Sequence, residues 1–196
     1  MTIVAPKRSA AEQLIFDRRP FWPREWPVIM PGLFMGFFDS CFVALHDDKM
    51  NAASDDRFVT ELERTFGNPP SEKPRVTYFH FRGSPWWSAI TLSEKSARLS
   101  AYSKVIEAHR DEIKRNVVAG ALCTRSMVIR TAIRTALVFA PAASPIRIVS
   151  RPEEALAFLG RFHPGFRAAL HDVRVALLLV VDRYVPGLRE DLVDAP

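Results

Sequence analysis

Leu33-Phe34-Met35-Gly36-Phe37-Phe38, followed after Asp39-Ser40 by Cys41-Phe42-Val43-Ala44-Leu45, is the stretch that decides the fold. Two short apolar runs rich in aromatic residues, separated by two polar turn formers, predict an antiparallel hairpin. Downstream, Ser54-Asp55-Asp56 offers an N-cap and first-turn acids, and Phe58, Val59, Leu62 and Phe66 follow at helical spacing until Gly67-Asn68-Pro69-Pro70 stops the helix. Arg75 to Arg82 alternates apolar and polar residues and reads as a strand that ends at Gly83-Ser84-Pro85. Thr91-Leu92-Ser93-Glu94 has the form of a capping box and opens the longest helix. Along it Leu99, Tyr102, Ile106, His109 and Ile113 make one stripe toward the sheet, with Lys95, Arg98, Lys104, Arg110 and Lys114 mostly off it.

Val117 to Cys123 predicts the next strand, in which Gly120 marks a close approach of backbones. Ser126 caps a helix from Met127 to Phe139 whose narrow face of Ile129, Ala132, Ile133, Ala136 and Leu137 should let it sit close on the sheet. Ile146 to Val149 forms a short strand, and Ser150-Arg151-Pro152-Glu153 reads as a second capping box before Ala155, Leu156, Phe158 and Leu159. The order β-β-α-β-α-β-α-β-α defines an α/β protein with a small open mixed sheet and helices packed on it.

Three segments are expected: an extended Pro/Trp-rich arm over 1–32, the α/β domain over 33–160 and an added helical extension over 161–196. The arm holds Pro20, Pro23, Pro27 and Pro31 with Phe21, Trp22 and Trp26, preceded by a short helix around Ala10 to Asp17. Phe166 to Tyr184 reads as one helix, apolar around more than half its girth and therefore covered on two sides, by the arm or by a second copy of the chain. A composition of 48% hydrophobic and 25% charged residues is that of a globular protein. The longest unbroken apolar run, Val175 to Val181, is far short of the ~20 residues a bilayer span needs. With no apolar h-region behind Lys7 and Arg8, the expected address is cytoplasmic. Cys41 and Cys123 each fall inside an apolar strand and read as buried thiols. The net charge of +5 is uneven, with 3 basic against 8 acidic residues over 31–72 and 14 against 6 over 73–160. No basic run or interleaved aromatic pattern accompanies it, so nucleic acid is not an expected partner.

The stretch from Ala97 to Leu159 resembles the STAS-like proteins, relatives of the anti-sigma factor antagonist, many of them small bacterial proteins. The resemblance lies in Cys123-Thr124-Arg125-Ser126, the helix Val128-Ile129-Arg130-Thr131-Ala132, and Pro145-Ile146-Arg147-Ile148-Val149 before the Glu153-Glu154-Ala155-Leu156 helix. In element order it covers about residues 33–160. It implies a non-enzymatic regulatory or scaffold module acting through a protein partner. In phosphorylatable members a Ser or Thr sits at the turn after the third strand, and phosphate there alters partner affinity through added charge. The matching turn here is Gly83-Ser84-Pro85-Trp86-Trp87-Ser88, which makes Ser84 the candidate phosphosite in a turn lacking the Asp-Ser-Ser/Thr-Gly pattern.

No GxSxG, glycine-rich phosphate loop or CxxC occurs. His46, His80, His109, His163 and His171 are scattered without metal-ligand spacing, and Asp47-Asp48 and Asp55-Asp56 read as exposed acids at element ends, so neither metal nor cofactor is expected. Parallel strands joined by helices bring successive turns to one rim. Ser84, Trp86, Trp87, Thr124, Arg125, Ser126, Ser150 and Arg151 are therefore the candidate residues for ligand or partner binding. Arg125 either holds an anion or pairs with a nearby carboxylate, and Trp86 and Trp87 either bind or cover a hydrophobic edge. Three functions remain open: the regulatory or scaffold protein, self-associating through 166–184 or binding a partner at the rim; a carrier or sensor of a small anionic or lipidic ligand held between sheet and added segments; and an enzyme using Ser84 or Asp48. A sizeable apolar pocket bounded by Trp22, Trp26, Trp86 or Trp87 would favour the carrier.

Overall fold

The computed structural model describes residues 27–38, 40–67, 75–139, 142–168 and 170–193. The expected helix around Ala10 to Asp17 and the arm's Phe21, Trp22 and Trp26 lie outside them. Six strands form one mixed sheet in the order β1-β2-β3-β4-β5-β6: β1 Val28–Met30, β2 Leu33–Phe38, β3 Cys41–His46, β4 Val76–Phe81, β5 Ala119–Cys123 and β6 Ile146–Val149. The hairpin forms as expected, with Phe38 opposite Cys41 and Leu33 opposite His46. From β3 onward the strands run parallel, each beside its predecessor.

The end of the expected arm is itself a strand. Val28 to Met30 pairs antiparallel with β2, Met30 opposite Leu33, so the sheet begins earlier than residue 33. Pro31-Gly32 makes this connection because proline supplies the bend and Gly32, at φ 72°, takes the left-handed conformation that a type II turn needs at its third position. A Cβ on Gly32 would stand 2.1 Å from the Met50 backbone nitrogen, so space as well as conformation demands glycine.

Between the parallel strands run α1 Ala52–Gly67, then α2 Pro85–Ala89, α3 Leu92–Ala108 and α4 Arg110–Asn116, and then α5 Met127–Phe139. After β6 come α6 Pro152–Phe162, α7 Pro164–Ala168, α8 Leu170–Tyr184, a 3-10 turn at Pro186–Leu188 and α9 Arg189–Val193. The cap of α1 differs from expectation: Asn51, not Ser54, accepts from the amides of Ala53 and Ser54 at 3.0 and 3.2 Å, and the Ser54 hydroxyl accepts from the Asn51 amide. The capping box of Thr91 and Glu94 is present. The expected second box is not, since α6 starts at Arg151 without a side-chain cap and with Pro152 in its first turn. The long helix breaks at His109 into α3 and α4, and the described residues of the segment read as a helix after Phe166 are helical, in α7 and α8.

Side chains alternate between the two faces of the sheet. On one, Met35, Phe37, Phe42 and Ala44 pack with Phe58, Leu62 and Phe66 of α1, Val105 of α3 and Ile113 of α4. Rings interlock there, Phe42 lying 5.9 Å from Phe79 and 6.5 Å from Phe66. On the other, Phe34, Val43, Leu45, Val76, Tyr78 and Ala121 pack with Leu156 and Leu159 of α6, Phe166, and Val173, Leu177 and Val181 of α8. The sheet itself is thus the main cover of α8. Cys41 and Cys123 are buried free thiols in this second core, and burial pushes the Cys123 thiol up to about 12. Among the described residues no helix is long and apolar enough to cross a membrane. Replacing Gly32→Ala combines left-handed strain with a backbone clash and is expected to cost about 3 kcal/mol. The urea-unfolding midpoint against wild type checks this, and an unchanged midpoint would contradict the turn geometry.

Candidate ligand cavity

The carboxyl ends of β3 to β6 converge at one rim, where the Arg82 amide donates to the His46 carbonyl at 2.9 Å and the Thr124 amide to the Val149 carbonyl at 3.0 Å. The strand order is sequential, so no switch point opens a crevice there. The rim is instead bridged by the C-terminal segment. The Arg82 guanidinium donates to the Gly187 carbonyl and stands 3.4 Å from Glu190. Arg125 pairs with Asp191 at 3.3 Å and donates to the Glu190 carbonyl at 3.3 Å. Gly187 sits so close to β3 that a Cβ on it would lie 2.6 Å from an Asp48 oxygen. Of the two readings of Arg125, the carboxylate partner is the one observed.

The other rim residues are committed as well. Thr124 is buried and accepts from the Ser126 amide at 3.2 Å, while the Ser126 hydroxyl caps α5 through the Ile129 amide. Arg151 pairs with Glu154 at 2.9 Å. Ser84 is only 3% exposed, and its hydroxyl accepts from the Trp87 amide as the cap of α2, so it stands as a structural serine rather than a displayed one. Trp86 stacks under the Arg98 guanidinium at 4.7 Å. Arg98 in turn engages buried Asp55, which also accepts from the Tyr102 hydroxyl, and reaches Asp56 at 3.0 Å. Burial raises the Asp55 carboxyl above its ordinary value despite these donors.

Beneath the rim, histidines expected to be scattered prove partly clustered. His46 and His80 are both fully buried, and His80 lies 3.0 Å from the Tyr78 hydroxyl and 3.4 Å from Asp191. Burial alone would raise the Asp191 carboxyl, but His80, Arg125 and Arg82 outweigh it and hold it below its usual range. His46 packs against the Phe58 ring at 4.4 Å and the Met50 sulfur at 2.9 Å. His109 pairs with Glu63 at 2.8 Å rather than facing the sheet, and His163 caps α7 through the Phe166 amide. The side chain of His171 lies outside the described residues. Among the described residues no group of three or more His, Cys, Asp or Glu could hold a metal ion.

Trp87 and Ser84 open onto a different feature, a cavity of about 400 Å³ between the sheet and its crossover helices. Thr77, Phe79 and Phe81 of β4 with Gly120 and Leu122 of β5 make its floor, α1 closes one side, and Leu99, Tyr102 and Ile106 of α3 face Ile129, Ala132 and Ile133 of α5 across it. The floor is low at Gly120, where a Cβ would fall 2.8 Å from the Thr77 hydroxyl. The sequence pattern pointed to α5 sitting close on the sheet. Instead Ile129, Ala132, Ile133 and Leu137 are only half-buried, because small side chains on both surfaces leave the space between them unfilled. Arg110, read as lying off the stripe, lines this cavity together with Ser103 and Glu107. The signal for it was present in the spacing, since positions 99, 102, 103, 106, 110 and 113 share one helical face.

The coordinates therefore define a class, an open mixed α/β sheet with an apolar cavity under its crossover helices. Compared with protein-family models, with curated proteins and with solved structures, the chain matches none.

His46 makes acid stability testable. Burial first, and the nearby His80 second, lower its pKa from 6.5 to about 3. The unfolded chain takes up this proton below pH 6.5 and the folded chain does not, so the contribution is complete above that pH and is lost as pH falls toward 3. Between pH 7 and pH 5 it amounts to about 2 kcal/mol. His46→Leu is expected to reduce the difference in unfolding free energy between those pH values by that amount relative to wild type, and parallel profiles would refute a buried neutral imidazole.

Proposed function

We propose that this protein is a non-enzymatic carrier or sensor that holds a lipid-like ligand in the cavity between the sheet and helices α1, α3 and α5. The observation that carries this reading is the cavity itself, about 400 Å³ and lined mainly by apolar side chains, Trp87 among them. That volume is within the range of about 300–1,000 Å³ for small-molecule sites. The ligand position differs from the one expected between the sheet and the added segments, because the described C-terminal helices pack on the opposite face of the sheet. A cytoplasmic address belongs to the same proposal and draws support from the two free buried thiols.

An uncharged naphthylamine fluorophore added to the full chain is expected to brighten and to be displaced by dodecanol. Ala132→Phe, which places a ring in the cavity, should weaken that binding by about tenfold or more without lowering thermal stability. A probe that stays dark, or binds the variant equally well, would overturn the reading.

A second reading, the STAS-like regulatory or scaffold protein, draws on the order of elements and on Leu92, Met127 and Val128, which are 84%, 70% and 77% exposed at the starts of α3 and α5. Under it those side chains meet a protein partner. Native mass spectrometry of chain purified from its own cells should then retain a partner that Leu92→Glu with Val128→Glu releases. Equal retention by the variant would count against this surface.

A further inference from the structure

We infer that the cavity's ligand is a single-chain carboxylate, a fatty acid by chemical class, with its head at Arg110 and its tail directed toward Trp87. The inference rests on the reading of the cavity as a lipid site. The two ends of the cavity differ in chemistry. At the rim end the polar groups are already committed: Ser84 caps α2, and Asp55 is engaged by Arg98 and Tyr102. The 17 residues of α3, about 25 Å at the helical rise, carry the chain from that rim to the opposite end, where β5 and β6 begin. There Ile106 and Ile146, both lining the cavity, are 39% and 38% exposed, so solvent reaches its mouth.

Arg110 stands at this mouth with Glu107 and Ser144. It is exposed and makes no ion pair among the described residues, whereas the other lining arginine, Arg82, is held by Gly187 and Glu190. A guanidinium presents two parallel N–H donors to a carboxylate, a planar match that an ammonium lacks. Glu107, three residues earlier, offsets part of the charge and so favours a head with one negative charge over a doubly charged phosphate. Between the mouth and the rim end, Leu99, Phe79, Leu122 and Ile133 offer hydrocarbon contacts, where a polar chain would lose its hydrogen bonds to water without replacement.

Titration calorimetry of the full chain with laurate and with dodecanol, beside the uncharged naphthylamine fluorophore, tests this. Wild type is expected to bind laurate about tenfold more tightly than dodecanol, the advantage of one charge-assisted pair. Arg110→Gln should abolish that advantage while leaving dodecanol and the fluorophore unchanged, and Arg110→Lys should restore part of it. Because Arg110 is exposed, both variants should melt with wild type. Equal affinity for the two ligands, or laurate binding indifferent to Arg110→Gln, with the fluorophore still bound, overturns the head-group assignment and leaves the lipid site standing. Failure of all three compounds to bind overturns both.

Discussion

Every crossover in the parallel part of this sheet steps one strand to the same side. Because such connections are right-handed, α1, α3, α4 and α5 all belong to one face, and the chain can cover the other only after β6. This constraint makes the two faces unlike. The face covered by α6, α7 and α8 is filled continuously from Phe34 to Val149. The crossover face is filled under α1, where phenylalanines interlock, and left open between β4–β6 and the pair α3 and α5. A row of small groups, Thr77, Gly120 and Ala132, sits where large ones would close the gap.

The same constraint decides what the carboxyl rim can do. In sheets whose strand order reverses, diverging helices leave a crevice; here they do not diverge, and the C-terminal segment lies across the rim instead. Arg82, Arg125 and His80 each meet Glu190 or Asp191 there. Deletion of one partner would leave a buried or half-buried charge uncompensated, which is costlier than the pair's own net worth. The segment after Val185 is thus part of the fold's closure, and the cations of the rim serve structure. Of the two arginines that line the cavity, Arg110 has no such partner among the described residues, and it lies on the element that returns the chain to β5.

A latch of Trp86, Arg98, Asp55 and Tyr102 ties α2 and α3 to α1 beside the rim end of the cavity. It fixes α3 against α1 through Arg98 and Tyr102, while Val105 packs in the core beside α1. Trp87, next to the latch, lines the cavity on one side and is positioned by the Ser84 cap on the other. Local hydrogen bonding and cavity shape are therefore coupled through a five-residue helix.

Much of this was determined by the sequence alone. The alternation in Arg75–Arg82, the two apolar runs at 33–45, and the caps at Thr91 and Ser126 are local patterns with local causes, so strands, helices and their order were legible. Legible too were the glycine at 120 and the burial of both thiols. Pairing between distant segments was not. That Val28–Met30 joins the sheet depends on β2 offering an unpaired edge, and that α9 seals the rim depends on charges more than a hundred residues apart in sequence meeting in space. Helical spacing placed Ile129, Ala132 and Ile133 on one face without saying how far that face stands from the strands. Distance between layers is set by the summed volumes of side chains from several elements, and only the tertiary structure decided that those volumes leave a cavity with Arg110 at its mouth.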